Sequence, residues 1–233
     1  MAHGIAVGCG LSLTARPWQG ARELQKEGES MDTITDNSTA TITANAESVR
    51  ELLAGAATQA HSKEDLPAIN AVKLYSESGR LYAVATDRYR LIEGSIEGEI
   101  EGELAATVLR LSDVKRILEL LKEKRLDRMP VQINRVGDLI SVAVAGNSAT
   151  VQAWECSYPP HAQLFQAGEP VPVGEISFNP GFFADYSKIE KLAGRKSSAG
   201  VKVSFYGERK PIGIHLNGDK VSWRALLMPM RTA

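Results

Sequence analysis

Leu81-Tyr82-Ala83-Val84-Ala85-Thr86-Asp87-Arg88-Tyr89-Arg90-Leu91-Ile92-Glu93-Gly94-Ser95 is the stretch on which the reading of the chain turns. Its first half alternates as a strand: Leu81, Ala83 and Ala85 point one way, Tyr82, Val84 and Thr86 the other. Asp87, Arg88 and Arg90 then interrupt an apolar run, so the strand reaches a surface there. The plain reading is a hairpin turn at Asp87-Arg88 and a second strand over 89–96. A sharper reading draws on the other end of the chain, Trp223-Arg224-Ala225-Leu226-Leu227-Met228-Pro229-Met230-Arg231. Proline cannot donate to a sheet ladder, so pairing stops near Pro229. Met228 and Met230 are adaptable apolar groups, suited to a site that accepts varied partners. A frayed terminus is the plain alternative.

Together these stretches resemble the beta sliding clamp family of bacterial DNA polymerase III. Thr86-Asp87-x-x-Arg90-Leu91 after a hydrophobic strand and the terminal Met228-Pro229-Met230-Arg231 carry the resemblance. Leu66-Pro67-Ala68-Ile69-Asn70 and Ser157-Tyr158-Pro159-Pro160 are similar to family segments as well, and the similarity runs over 40–231. It implies an α+β DNA-clamp fold of repeated strand-helix-three-strand units, with mostly antiparallel sheets and helices on one face. It implies a processivity factor without catalysis that encircles duplex DNA. Such a factor tethers DNA polymerase and other replication or repair proteins that carry clamp-binding peptides. A clamp loader and a homo-oligomeric ring are implied with it.

The same resemblance implies a peptide pocket lined by Ile69, Thr86, Tyr89, Arg90, Leu91, Leu226, Met228, Pro229, Met230 and Arg231, with arginines at its rim. Two places depart from the family: Arg88-Tyr89 stands where Gly-His is common, and Leu66 where an arginine is common. Both changes would retune partner choice. Clamp helices line the hole, which implies DNA contacts from Arg50, Lys115, Lys122, Lys188, Lys191 and Arg195, made to phosphates without reading sequence. Glu119, Glu123 and Glu190 sit among these bases, so an ordinary solvated helix face remains the alternative.

The net charge of −1 does not suit a protein that grips nucleic acid by charge alone. A ring that only surrounds DNA needs positive charge on its inner wall and nowhere else. Cys9 and Cys156 stand far apart in unlike contexts, which suits a reducing cytoplasm and neither a disulfide framework nor a metal site. No apolar run is long enough to span a membrane. His61, His161 and His215 are isolated, and no phosphate loop, nucleophile elbow or zinc signature appears, so neither an enzyme nor a cofactor is expected. Asp185 and Glu190 read as polar positions of a helix.

From residue 39 a unit of strand, helix and three strands recurs three times. The first has a strand over 39–43, Asn45 as helix cap, and Val49, Leu52, Leu53, Ala56 and Ala60 on one helical face. Strands over 71–76, 81–86 and 89–96 follow, and 97–103 reads as a loop. The second has a strand over 105–110, a helix capped by Ser112 with Val114, Ile117, Leu118 and Leu121 as its stripe, and strands over 131–135, 139–145 and 149–154. The third opens at 175–178. Asn179 caps its helix, Pro180 takes the first position, Gly194 ends it, and Phe182, Phe183, Tyr186, Ile189 and Leu192 form its face. Its strands run over 201–206, 211–216 and 220–227.

The expected organisation is therefore an extension over 1–38, a clamp domain of two units over 39–160, a proline-rich linker over 161–174, and a half-domain with the peptide-binding tail over 175–233. No Lys or Arg precedes the apolar stretch near residue 5, which argues against a signal peptide. Met31 is the expected natural start, because Lys26-Glu27-Gly28 can be encoded as a ribosome-binding sequence ahead of it. Family rings hold about a dozen such units, so three per chain call for four chains, with half-domains completed in trans. The alternative is a clamp-like adaptor or decoy that binds partner peptides without encircling DNA.

Overall fold

The computed structural model describes residues 39–165, 168–192 and 200–230. The first unit is β1 (Thr39–Asn45), α1 (Ala46–Ala57), β2 (Ala71–Glu77), β3 (Arg80–Thr86) and β4 (Arg90–Glu97). After β5 (Glu99–Glu101), the second is β6 (Thr107–Arg110), α2 (Leu111–Leu120), β7 (Pro130–Val136), β8 (Leu139–Val144) and β9 (Asn147–Gln152). The third is α3 (Pro180–Ala184), α4 (Tyr186–Leu192), β10 (Lys202–Ser204), β11 (Ile212–Asn217) and β12 (Ser222–Leu227). The fold is α+β.

Every ladder among the described residues is antiparallel. One sheet has the order β5-β1-β7-β8-β9, the other β10-β11-β12-β4-β3-β2-β6. The first two units therefore exchange their opening strands. β1 pairs with β7 of the second unit (Ile42↔Ile133), and β6 pairs with β2 of the first (Leu109↔Val72). Neither unit has core enough alone, and the exchange lets both sheets share α1 and α2. The third unit joins differently: β12 lies on the outer edge of β4, with Leu226↔Leu91 and Leu227↔Arg90 in register.

Local signals account for most of these elements. β1 alternates between buried and outward positions, with Ala40, Ile42 and Ala44 buried. Asn45 Oδ1 accepts from the amides of Glu47 (3.0 Å) and Ser48 (3.4 Å), and Asn179 Oδ1 from Gly181 (2.9 Å), so both expected caps are present. Ser112 is not the cap of α2. That helix starts at Leu111, whose amide donates to Asn70 O (3.0 Å), so a tertiary backbone bond sets its start. Residues 99–101 form a strand where a loop was expected, because Ile100 packs against the core opposite Ile42 while its two glutamates face out. The single helix expected after Asn179 is broken at Asp185, and its expected end at Gly194 lies outside the described residues.

Trp223 fastens the third unit to the first. It is buried on β12, with the indole edge against Gly55 of α1 and Gly94 of β4. A Cβ at either glycine would collide with the ring, so both positions need glycine for close approach. Burying an indole contributes on the order of 4 kcal/mol, an upper figure.

Candidate functional site

The expected hairpin turn after β3 is held by its own polar side chains. Asp87 Oδ1 accepts from the amides of Tyr89 (3.0 Å) and Arg90 (2.8 Å). Thr86 Oγ1 donates to Arg90 O (2.5 Å) and accepts from the Arg88 amide (3.2 Å). Such side-chain-to-backbone bonds close a turn that the ladder cannot. Arg88 has φ +80°, in the left-handed region that glycine enters freely and other residues enter at about 1–2 kcal/mol. The position where the resemblance led one to expect glycine is thus the one whose backbone favours it.

Arg90 does not stand free at a rim. Its side chain is 8% exposed and bonds to Asp87 Oδ2 (2.8 Å) and Asp185 Oδ2 (2.5 Å), with the guanidinium 4.4 Å from the Phe182 ring centre. It therefore bolts the turn to the break between α3 and α4. Burial pushes the Asp185 carboxyl up, but the bonds from Lys188 and Arg90 outweigh it and hold the group below the usual carboxylate range. Tyr89 stacks on Phe182 (5.7 Å), and its carbonyl accepts from the Met228 amide (2.8 Å). The strand expected over 175–178 is reduced to one bridge, Ser177↔Met230. Met228, Pro229 and Met230 are half-buried along this path.

Below the turn lies a second apolar cluster, separate from the main core. Val84 of β3, Leu91 of β4 and Leu226 of β12 form its floor, and Tyr75, Tyr158, Leu164 and Phe165 pack on it half-buried. The linker supplies the wall: residues 162–165 form a 3-10 turn, and Tyr158 Oη donates to Val84 O (3.2 Å). Glu93 holds that wall in place. It is buried on β4 and meets Tyr75 Oη (3.0 Å), Arg224 Nε (2.5 Å) and His161 Nε2 (3.3 Å), while the Arg224 guanidinium lies 4.2 Å from the centre of the Phe165 ring. Burial raises the Glu93 carboxyl, yet the bonds from His161, Arg224 and Tyr75 prevail and hold it below its ordinary value. The result is an apolar surface with a charged frame, of the kind that suits a short apolar-aromatic segment.

Of the residues expected in the pocket, Thr86, Tyr89, Arg90, Leu91, Leu226, Met228, Pro229 and Met230 converge on this seam. Ile69 is buried just before β2, near the end of β3 that carries Thr86, and outside the Val84–Leu91–Leu226 cluster. Arg231 lies outside the described residues. Sequence reasoning missed Val84, Leu164, Phe165, Phe182 and the Glu93 network. An apolar Leu164-Phe165 pair within a proline-rich linker was the available signal.

The helices form one layer in which α1 touches both α2 and α4. Lys115 and Lys191 are exposed on it. Lys122 pairs with Glu119 (2.7 Å) and Lys188 with Asp185 (2.6 Å), both in the open. Arg50 is bonded to Leu121 O (3.1 Å) and to Asp127, so it stitches α1 to the end of α2 and does not face out as a free cation. Arg195 lies outside the described residues. Among the described residues no cluster of His, Cys, Asp or Glu is arranged to hold a metal, and no helix is long and apolar enough to cross a membrane.

No protein-family model and no curated protein matches the sequence. Solved structures do match. The DNA polymerase III beta subunit of Thermotoga maritima aligns over 89% of this chain and 69% of its own, with a TM-score of 0.68 at 16% identity. The DNA polymerase sliding clamp of Bacillus subtilis aligns over 89% and 68%, with a TM-score of 0.66 at 16% identity. The sliding clamp of Pseudomonas aeruginosa bound to griselimycin aligns over 88% and 67%, with a TM-score of 0.63 at 14% identity. The fold is that of the bacterial sliding clamps, about two-thirds of their length.

Proposed function

We propose that this chain, built on the sliding-clamp fold, is a replication processivity factor without chemistry of its own. It encircles duplex DNA as a homo-oligomer and tethers a polymerase, and other replication or repair proteins, through a hydrophobic peptide pocket. A clamp loader opens the ring, and the protein works in the cytoplasm. Residues 39–160 serve as a complete clamp domain, 161–174 as linker and pocket wall, and 175–233 as a half-domain with the tail.

One observation carries the reading. Leu91 just after the turn, Leu226 just before the tail, and Tyr158, Leu164 and Phe165 are remote in sequence, yet they meet in one apolar cluster. The test is fluorescence anisotropy with a labelled clamp-binding peptide of apolar-aromatic sequence. Leu226→Asp and Met228→Ala should each weaken binding by tenfold or more, about 1.4 kcal/mol. Unchanged affinity in both would defeat the assignment.

The adaptor or decoy reading also has an observation in its favour: Arg50, Lys122 and Lys188 are engaged by acidic partners. Retention on circular against linear plasmid separates the two readings. An encircling clamp slides off linear DNA and stays on the circle, and Lys115, Lys122, Lys188 and Lys191 changed together to glutamate should reduce that retention and its salt dependence. A decoy binds peptide and shows no topological retention.

A further inference from the structure

The third unit is unfinished. In the first two units, the opening strand of one completes the sheet of the other, through β1·β7 and β6·β2. Among the described residues nothing plays that part for the third. β10 pairs, among the described residues, with β11 alone, and the backbone of the segment before α3 pairs only with Met230, through Ser177, while Ile176 and Phe178 pack against the main core. Among the described residues that leaves one edge of β10 and one edge of the Ser177 segment open.

The burial pattern agrees. Ile42 and Leu109, in the opening strands of the first two units, are fully buried. Their counterparts Ile176 and Phe178 are half-buried, as are Phe182, Phe183, Val203 and Phe205. Leu192 at the end of α4 is 43% exposed. Most half-buried apolar side chains against the main core belong to this one unit. Among the described residues a layer is missing, and the first two units show what that layer is elsewhere: the opening strand and helix of a like unit.

We infer that the third unit is completed by the third unit of a second copy, through reciprocal exchange of residues 175–179 onto the partner's β10. The two open edges are complementary, so a two-fold axis satisfies both at once. The register follows from the exchanges in cis, where the helix-capping residue faces the first residue of the receiving strand: Asn45↔Pro130 and Arg110↔Ala71. Asn179 then faces Lys202, Phe178 faces Val203, and Ser177 faces Ser204. Phe178 and Val203 meet on the core side, as Ile42 and Ile133 do in cis. The ladder stops short of Phe205, whose carbonyl already accepts from the Val171 amide of the linker (2.8 Å). Using both edges of one opening strand has a precedent in β1, which holds β5 on one side and β7 on the other.

A pair built this way contains three complete two-unit domains. Its two ends are the outer edges of β9, whose counterparts β4 and β12 pair with each other in cis. Two pairs joined β9 to β9 make a closed set of four chains. This assembly deepens the clamp reading, but the exchange itself rests on the fold and needs no DNA.

The experiment uses the full chain with Cys9→Ser and Cys156→Ser. Ser177→Cys and Ser204→Cys are made separately, mixed, dissociated and reassociated, and oxidised. Opposed residues of an antiparallel ladder lie within disulfide reach. The expected result is a disulfide dimer in the mixture and none in either variant alone. Light scattering should give two or four times the 25.2 kDa chain mass, and Ile176→Asp should lower it to one chain while keeping the circular dichroism of the parent. A monomer, an odd-numbered assembly, or an even one without the 177–204 link overturns the inference. Cross-linked pairs that fail to stay on circular DNA would sink the clamp reading and leave the exchange standing. Topological retention without the cross-link would do the reverse.

Discussion

Gly55→Ala is the substitution whose sign tests the packing of the third unit on the first. Gly55 lies inside α1, where alanine is favoured over glycine by about 1 kcal/mol on helix propensity. A reader of the isolated helix expects stabilisation. The structure sets the Trp223 ring edge where the new Cβ would go, with Gly94 confining the ring from the other side. The indole is 3% exposed and belongs to the main core, so the added methyl forces a shift of ring or helix. Overpacking of this kind costs about 1–3 kcal/mol, and after the propensity gain the net is a loss of about 1 kcal/mol. Urea unfolding followed by circular dichroism, at fixed protein concentration, reads it as a lowered midpoint with unchanged slope. Trp223→Leu removes the obstacle, so Gly55→Ala on that background should stabilise. The coupling between the two sites is the signature of contact. A midpoint that rises for Gly55→Ala in the parent chain would refute the docking of β12 against α1.

Three further outcomes follow from named contacts. Arg88→Gly relieves the left-handed backbone at the turn and should stabilise by about 1 kcal/mol, whereas Arg88→Val should destabilise; thermal melts of both check it. Arg90→Met strips Asp87 and Asp185 of their shared buried partner and should cost about 3 kcal/mol in urea unfolding, a loss that Arg90→Lys recovers only in part. Glu93 has a folded pKa below its unfolded one, so the unfolded chain binds the extra proton. Its stability contribution is complete above the ordinary carboxylate range and is lost as pH falls through the folded pKa. The fall in parental stability between pH 7 and pH 3 should shrink in Glu93→Gln, and an identical pH profile in the two proteins would contradict the network.

Much of the site could be read from the chain because its parts carry local signals. Asp87 and Thr86 are side chains that close turns by themselves, and Pro229 ends a ladder wherever it stands. The roles of Arg90 and Arg50 were not legible in the same way. A lone arginine in sequence reads as a surface cation, and only the approach of Asp185, 95 residues away, or Asp127, 77 residues away, turns each into a fastener. Phe182 reads as part of a helix's apolar face, and no local signal gives Phe165 a role. Their use as platforms for Arg90 and Arg224 depends on segments folding over one another.

By itself the sequence determined the unit repeat, the alternation that places each strand's inward face, the two asparagine caps and the turn at Asp87. These depend on periods of two and 3.6 residues and on side chains reaching their own backbone, which any short window contains. Tertiary structure alone decided that α2 begins at Leu111, that 99–101 become a strand, that α3 and α4 part at Asp185, and that the first two units exchange opening strands while the third finds no such partner among the described residues. Each of those depends on which edge or carboxylate arrives from far along the chain. A sheet edge is satisfied by whatever strand reaches it, and local sequence does not specify which.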